Sequence, residues 1–407
     1  MKKRKYFDQI VQHLNNNEKE FLILSGARQT GKTVLLKQCV DFLAEKGETP
    51  FYFTLEDPAI KNSLNGHPEN LFRFIPKSKD KRIFVLIDEI QYLDDPSNFL
   101  KYHFDLYAPG LLIVATGSSA FYIDEKFKDS LAGRKKLIQV FTMGFNEFLD
   151  FRADDNSLLQ EFKMIRENTD YISLRRKEIM GYLDEYLIYG GYPAVVTTAD
   201  IEKKKEIIRE LISSYLKRDI LESGIKSEET LFNLLKILAG TQNSQVNKHE
   251  LSVTLRVSTT AIENYFTVLQ KCFHLALVKP FYTNIRKEIT KMPVVYFHDL
   301  GFRNVLNNLF SPVDERLDKG KLIENFIFIR LREKYPYGEI NYWRTTDGNE
   351  VDFVVNSGDE KFAIESKFNQ NQFRPGKYGK FKEGYPDFPL TCRTYLADNN
   401  ATHILGL

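Results

Sequence analysis

Eight residues near the N-terminus have the types and spacing needed to hold a polyphosphate. Gly26-Ala27-Arg28-Gln29-Thr30-Gly31-Lys32-Thr33 follows the pattern G-x-x-x-x-G-K-[ST] at every fixed position. The glycines let the backbone turn tightly, so that N–H groups point at phosphate oxygens. Lys32 can reach β- and γ-phosphates, and the Thr33 hydroxyl is a ligand for Mg²⁺. A helix starting near Lys32 adds its positive end to the same anion. Further along, Asp88-Glu89 closes the apolar run IFVLI. After a phosphate loop, such a pair has a chemistry: the aspartate holds the Mg²⁺ shell, and the glutamate polarises an attacking water. Alone, two acids at a strand end are an ordinary solvated terminus. The run LLIVAT then ends in Gly117-Ser118-Ser119. Thr116, Ser118 and Ser119 are candidates to touch the γ-phosphate or the water, with a plain turn as the alternative. Arg134, in Ser130-Leu131-Ala132-Gly133-Arg134, reads either as an arginine supplied to a neighbouring chain's site or as a surface residue.

A second constellation lies near the C-terminus: Glu324, Asp352, Glu365 and Lys367. Glu365 and Lys367 are two apart on an expected strand and so share a face. Asp352 lies on the preceding strand, across a hairpin that brings it near Glu365. Two carboxylates can hold Mg²⁺ while the lysine stabilises developing charge or activates water, and Glu324 on the helix before them adds a third carboxylate. This is the layout of PD-(D/E)xK phosphodiesterases, with Val351 where the name-giving proline would stand. The E-x-K spacing alone is weak evidence, because Glu161/Lys163 and Glu202/Lys204 repeat it in helical segments.

The elements that must position these residues follow from hydrophobic period. FLILSG, FYFT, RIFVLIDE and LLIVAT are short, unalternating apolar runs separated by helical segments such as KTVLLKQCVDFLAEKG. That pattern predicts an α/β domain with a parallel sheet buried on both faces. From 146 to 228 only helical periods occur, with a turn at Gly190-Gly191-Tyr192-Pro193. Three short helices and an apolar segment follow, with helix-turn-helix proportions and strands that would make a wing. Then come the amphipathic helix KLIENFIFIRLREKY and the strands NYWRT, EVDFVV, KFAIESKF and TCRTYLA.

Composition narrows the class. The 407 residues carry 57 basic and 55 acidic side chains, a balance that does not point to nucleic acid by itself. Lys321 to Leu407 holds 12 of each sign, without the basic excess of a DNA-gripping surface. The expected recognition helix STTAIENYFTVLQK has one glutamate and one lysine, so packing or partner contact suits it at least as well as groove reading. Cys39, Cys272 and Cys392 are far apart and read as buried thiols in a reducing compartment. No secretory signal and no membrane-spanning run is evident, so a cytoplasmic protein is expected. His298 and Asp299, in YFHDLG, read as structural.

GARQTGKT, the strand ending IDEIQ, ATGSS and SLAGR in that order resemble the AAA-superfamily ATPases of bacteria and archaea that carry an uncharacterised C-terminal domain. YGGYPAVV, YLKRDI, YFHDLGFRNVL and EVDFVV with AIESK extend the resemblance over nearly the whole chain. It implies an ATPase core at 1–145, a helical lid at 146–228, a winged helix at 229–312 and a restriction-nuclease-like domain at 313–407. ATP and Mg²⁺ are the implied cofactors, held at Gly26 to Thr33, Asp88 and Ser118. Glu89, Lys32 and Arg134 are the implied catalytic groups. Asp352, Glu365 and Lys367 would be a second catalytic set, with Glu324, Asp352 and Glu365 around a second Mg²⁺. Two outputs stay open: a nucleic-acid-acting domain controlled by ATP, or a nucleotide-switched scaffold binding a protein partner or another copy of the chain.

Overall fold

A computed structural model describes all residues except 1, 17, 78–81, 118–130, 154, 224, 226, 242–243, 283–291, 336, 359 and 398. The chain divides into two units, Met1–Phe141 with Lys271–Phe273, and Thr142–Gln270 with His274–Leu407.

The first unit is built on β1 (Phe21–Ser25), β2 (Phe51–Thr54), β3 (Ile83–Asp88), β4 (Leu111–Gly117) and β5 (Lys135–Gln139). All pair in parallel, in the order β2-β3-β4-β1-β5. Every residue of β1, β3 and β4 is buried, as unalternating Leu, Ile and Val require. Helices α1 (Tyr6–Asn15), α2 (Lys32–Glu45), α3 (Pro58–Gly66) and α4 (Pro96–Tyr107) surround the sheet. Leu35, Leu36 and Cys39 of α2, Phe7 and Ile10 of α1, and Phe99 and Leu100 of α4 share one core with the strands. The starts of α3 and α4 are legible in sequence: each has an aspartate cap, Asp57 or Asp95, followed by proline. β5 lacks an unalternating run because it is an edge strand, mostly uncovered, and the apolar-run reading passed over it.

The second unit gathers the segments expected as lid, winged helix and C-terminal domain. The break falls at Phe141/Thr142, and the segments assigned to lid, winged helix and C-terminal domain share one apolar core. Phe145, Phe148 and Tyr186 come from the first helical segment, Val278 and Tyr296 from β6 (Leu275–Val278) and β7 (Val294–Phe297), and Phe326, Phe353 and Ile364 from the C-terminal segment. The lid helices bury their aromatic faces on the helix Lys319–Lys334, with Phe145 and Tyr186 rings 6.3 and 6.0 Å from Phe326. Helices at Glu228–Thr241, Lys248–Leu255 and Thr259–Lys271 precede the antiparallel β6–β7 pair. A four-stranded sheet follows, in the order β11-β10-β9-β8, from β8 (Ile340–Arg344), β9 (Glu350–Ser357), β10 (Glu360–Asn369) and β11 (Leu390–Leu396).

The Gly-Gly turn and Asp299, far apart in sequence, form one brace. Asp299 is buried and accepts hydrogen bonds from the amides of Gly191 (2.8 Å) and Phe302 (2.9 Å). Gly190 has φ +74°, and a Cβ on Gly191 would lie 2.0 Å from the Met143 carbonyl oxygen. Asp299 therefore has the structural role expected of it.

His103 on α4 makes the first unit acid-sensitive. Its ring is fully buried, 4.4 Å from Phe99, with Nδ1 2.7 Å from the Phe99 carbonyl oxygen. Burial lowers its pKa to about 4. The unfolded chain takes up this proton near pH 6.5, so below that pH the unfolded state binds more protons than the folded one. Stability is therefore expected to fall between about pH 6.5 and 4 by ~3 kcal/mol from this group. Urea midpoints for the first unit measured across that window should show a shallower decline in His103→Phe than in the wild type; equal slopes would remove His103 from the account.

Candidate functional site

The sheet order dictates which loops meet. β4 lies between β1 and β3, so the C-terminal ends of these three strands bring Gly26, Asp88 and Thr116 to one edge. In parallel α/β sheets this is the edge where ligands bind. Three backbone features shape the phosphate loop. Gln29 and Gly31 have φ of +53° and +92°. The Thr30 hydroxyl donates to the Ala27 carbonyl at 2.9 Å. A Cβ on Gly26 would lie 1.9 Å from the Val140 carbonyl oxygen, so glycine is required there by contact. Helix α2 begins after Gly31 with no side chain capping its N-terminus, which leaves its first N–H groups directed at the loop's concave side. Lys32 is buried, and its ammonium donates to the loop's own carbonyls, Gly26 at 2.8 Å and Ala27 at 2.7 Å.

The acid pair is tied to the loop by a chain of hydroxyls. Thr33 Oγ1 donates to Asp88 Oδ2 at 2.7 Å, and the Tyr52 hydroxyl donates to the same oxygen at 3.2 Å. Thr116 Oγ1 donates to Asp88 Oδ1 and accepts from the Glu89 amide at 2.9 Å. Glu89 sits in left-handed backbone, φ +57°, and its carboxylate accepts from the Gln91 amide group. Burial and then the neighbouring Asp88 charge push the Tyr52 phenol well above its usual pKa, so it stays a donor at neutral pH. Two oxygen donors of the kind a hard cation takes, on Thr33 and Asp88, thus stand within hydrogen-bond distance beside the uncapped N-terminus of α2. That donor set suits Mg²⁺ carried by a triphosphate.

Sequence reasoning missed Tyr52 and Gln91. Tyr52 lies on the edge strand β2, and only the register pairing Thr54 with Asp88 brings that strand alongside the site. Ser118 and Ser119 lie outside the described residues, whereas Thr116, the third candidate of that group, is at the centre of the network. Arg134 is at the opposite end of the strands: its carbonyl accepts from Phe21, the first residue of β1. Its guanidinium pairs with Asp105, Nε to Oδ1 at 2.7 Å. It therefore lies away from the phosphate loop of its own chain.

The C-terminal residues Asp352, Glu365 and Lys367 meet on β9 and β10, with Glu324 near enough for its charge to act on Asp352. Asp352 and Glu365 lie on adjoining antiparallel strands, next to the paired residues Phe353 and Ile364. Asp352 Oδ2 accepts from the Ser366 amide at 2.7 Å. Burial, then the charges of Glu365 and Glu324, hold the Asp352 carboxyl well above the usual range, with Lys367 opposing them. Lys367 donates to Glu365 Oε1 and, at 2.9 Å, to the Ser366 carbonyl. Glu324 instead accepts from the Tyr296 hydroxyl at 2.6 Å. Among the described residues no group of three or more His, Cys, Asp or Glu is placed to hold a metal ion. Lys367 thus pairs with Glu365 and Tyr296 with Glu324, while the charges of Glu365 and Glu324 both act on Asp352.

Comparison with known proteins agrees with this geometry at its N-terminal end. Residues 18–149 match the model of an AAA domain. The first unit carries an AAA-type P-loop domain. Residues 180–313 match a domain of unknown function, DUF8612, and residues 319–395 another, DUF4143. An uncharacterized protein of Haemophilus influenzae is 27% identical over 410 residues, covering 96% of this chain and 93% of that protein. An uncharacterized protein of Methanocaldococcus jannaschii is 25% identical over 358 residues, covering 86% and 75%. Among solved structures, the RuvB Holliday junction branch migration motor of Thermotoga maritima matches at a TM-score of 0.36 and 13% identity, over 68% of this chain and 90% of that one. That likeness is too remote to bear on chemistry. Among the described residues, no helix is long and apolar enough to cross a membrane.

Thr116 offers the sharpest test of the network. Thr116→Val deletes both its hydrogen bonds while keeping its shape, at a cost of ~1–3 kcal/mol to the placement of Asp88 and Glu89, or about 10- to 100-fold in ATP turnover. Thr116→Ser is expected to stay near wild type. Wild-type turnover in the valine variant would show that the hydroxyl does not position the acids.

Proposed function

We propose that the chain is a Mg²⁺-dependent ATPase whose nucleotide cycle controls the second unit. One observation carries the reading: the hydrogen-bonded sequence Thr33–Asp88–Thr116–Glu89 joins the phosphate loop to an acid pair at the edge of a parallel sheet. Loop amides and Lys32 bind the phosphates; Thr33 and Asp88 would hold Mg²⁺, which when bound neutralises phosphate charge. Glu89 orients the attacking water and accepts its proton, and Gln91 holds that carboxylate in place. Because Arg134 lies at the far end of the strands, any catalytic role for it is served in trans, which requires a homo-oligomer.

The second unit is the output. Its order of helix Lys319–Lys334, three strands, helix Gly379–Gly384 and β11 supports a restriction-nuclease-like fold. Three helices and a two-stranded pair before it support a winged helix. The 12 basic and 12 acidic residues from Lys321 to Leu407, without the excess of a DNA-gripping surface, support a domain that binds a partner without cutting nucleic acid.

Lys32→Ala is expected to abolish phosphate release and to weaken ATP binding at least tenfold in titration calorimetry, with the fold intact by circular dichroism. Undiminished turnover would remove the enzyme assignment. Wild-type protein with Mg²⁺ or Mn²⁺ and ATP is expected to leave single- and double-stranded DNA and RNA uncut. Cleavage that disappears in both Asp352→Ala and Lys367→Ala would instead establish an active nuclease.

A further inference from the structure

Arg4 lies outside the phosphate-loop motif, yet its guanidinium is buried against that loop, with the residue only 4% exposed. Nη1 donates to the carbonyl of Thr30, inside the loop, and Nη2 donates to the carbonyl of Phe141 at 2.9 Å. The other side of the Phe141 residue is held as well, because its amide donates to the Tyr6 hydroxyl at 3.0 Å. One residue earlier, the Val140 amide donates to the Ser25 carbonyl at 2.6 Å, and the Val140 carbonyl fills the space a Gly26 Cβ would need. The peptides of Val140 and Phe141 are thus fastened to the loop directly and through Arg4. Phe141 is also the last residue of the first unit before the chain passes to Thr142.

The anchoring of Arg4 is firm. The Phe7 amide donates to its carbonyl at 2.9 Å, and Phe7 and Ile10 hold α1 in the core. Gln38 on α2 donates to the Lys2 carbonyl at 3.1 Å. An arginine suits this position because its rigid fork can serve two carbonyls at once, which a lysine ammonium on a flexible stem does poorly. Thr30 stands between the two positive-φ residues, Gln29 and Gly31, so the orientation of its carbonyl depends on the shape of the whole loop. A bound triphosphate would take Lys32 from the Gly26 and Ala27 carbonyls and engage the loop amides, and a turn of the Thr30 peptide would pull on Arg4.

We propose that Arg4 is a positioning residue that fixes the Thr30 carbonyl and relays the nucleotide state of the loop to Phe141. The relay rests on the reading of the loop as an ATP site. Hydrogen–deuterium exchange followed by mass spectrometry, with and without Mg·ATP, reads both ends. In the full-length wild type, ATP is expected to slow exchange at residues 26–33 and to change it at residues 139–142. In Arg4→Lys, the loop is expected to stay protected at saturating ATP, while the 139–142 response disappears and the dissociation constant for ATP rises about tenfold. A melting temperature within a few degrees of wild type would separate this from unfolding. An unchanged 139–142 response in Arg4→Lys would overturn the relay and leave the ATP site standing. So would a wild type whose loop is protected while 139–142 does not change, a result that needs no variant. No protection at 26–33 in the wild type would overturn the ATP reading and the relay together.

Discussion

A carboxylate drawn into the edge of a buried sheet must find donors, and Asp88 finds three hydroxyls, from Thr33, Tyr52 and Thr116. Hydrogen bonds to an ionised group contribute roughly 1.5–3 kcal/mol each, so this one side chain fixes the relation of α2, β2, β3 and β4 at the catalytic edge. The parallel strand order makes the convergence unavoidable. With β4 between β1 and β3, its next-to-last residue, Thr116, lies beside both the phosphate loop and the acid pair. A threonine there can donate to Asp88 and accept from Glu89 at once. The site is therefore preorganised by neutral hydroxyls, which leave the negative charge of Asp88 available to a cation.

The second unit depends on a different constraint. Buried residues from its segments join in one core that includes helix Lys319–Lys334, and a smaller cluster around Trp343, Val351 and Phe381 lies in the C-terminal sheet. Asp299 and the Gly190-Gly191 turn then lock the N-terminal helices to the segment after β7. In the C-terminal sheet Lys367 donates to Glu365 and the Ser366 amide to Asp352, while the Tyr296 hydroxyl donates to Glu324.

What could be read in the sequence was whatever is local. Gly26 to Thr33 and Asp88-Glu89 are contiguous motifs next to apolar runs, and the strands carrying them are buried on both faces, so period and motif agreed. Asp352, Glu365 and Lys367 were also placed on adjoining strands, because a hairpin between β9 and β10 fixes their register. Long-range partners left no trace in spacing. Arg4 reaches Thr30 across 26 residues and Phe141 across 137, and Tyr52 reaches Asp88 across 36. The strand β5 was passed over because an exposed edge has no unalternating run. The shared core of the second unit was not legible either, because helical period shows that a face is apolar without showing which neighbour covers it.

The central claim, that this edge of the sheet hydrolyses ATP through Glu89, is tested most directly by Glu89→Gln. Phosphate release and ATP binding should be measured side by side in the presence of Mg²⁺. The account predicts that the variant binds Mg·ATP about as tightly as the wild type while its turnover falls by at least a hundredfold, an effect in the range of general-base removal. Turnover that survives the substitution, or wild-type protein that binds no ATP, would contradict it.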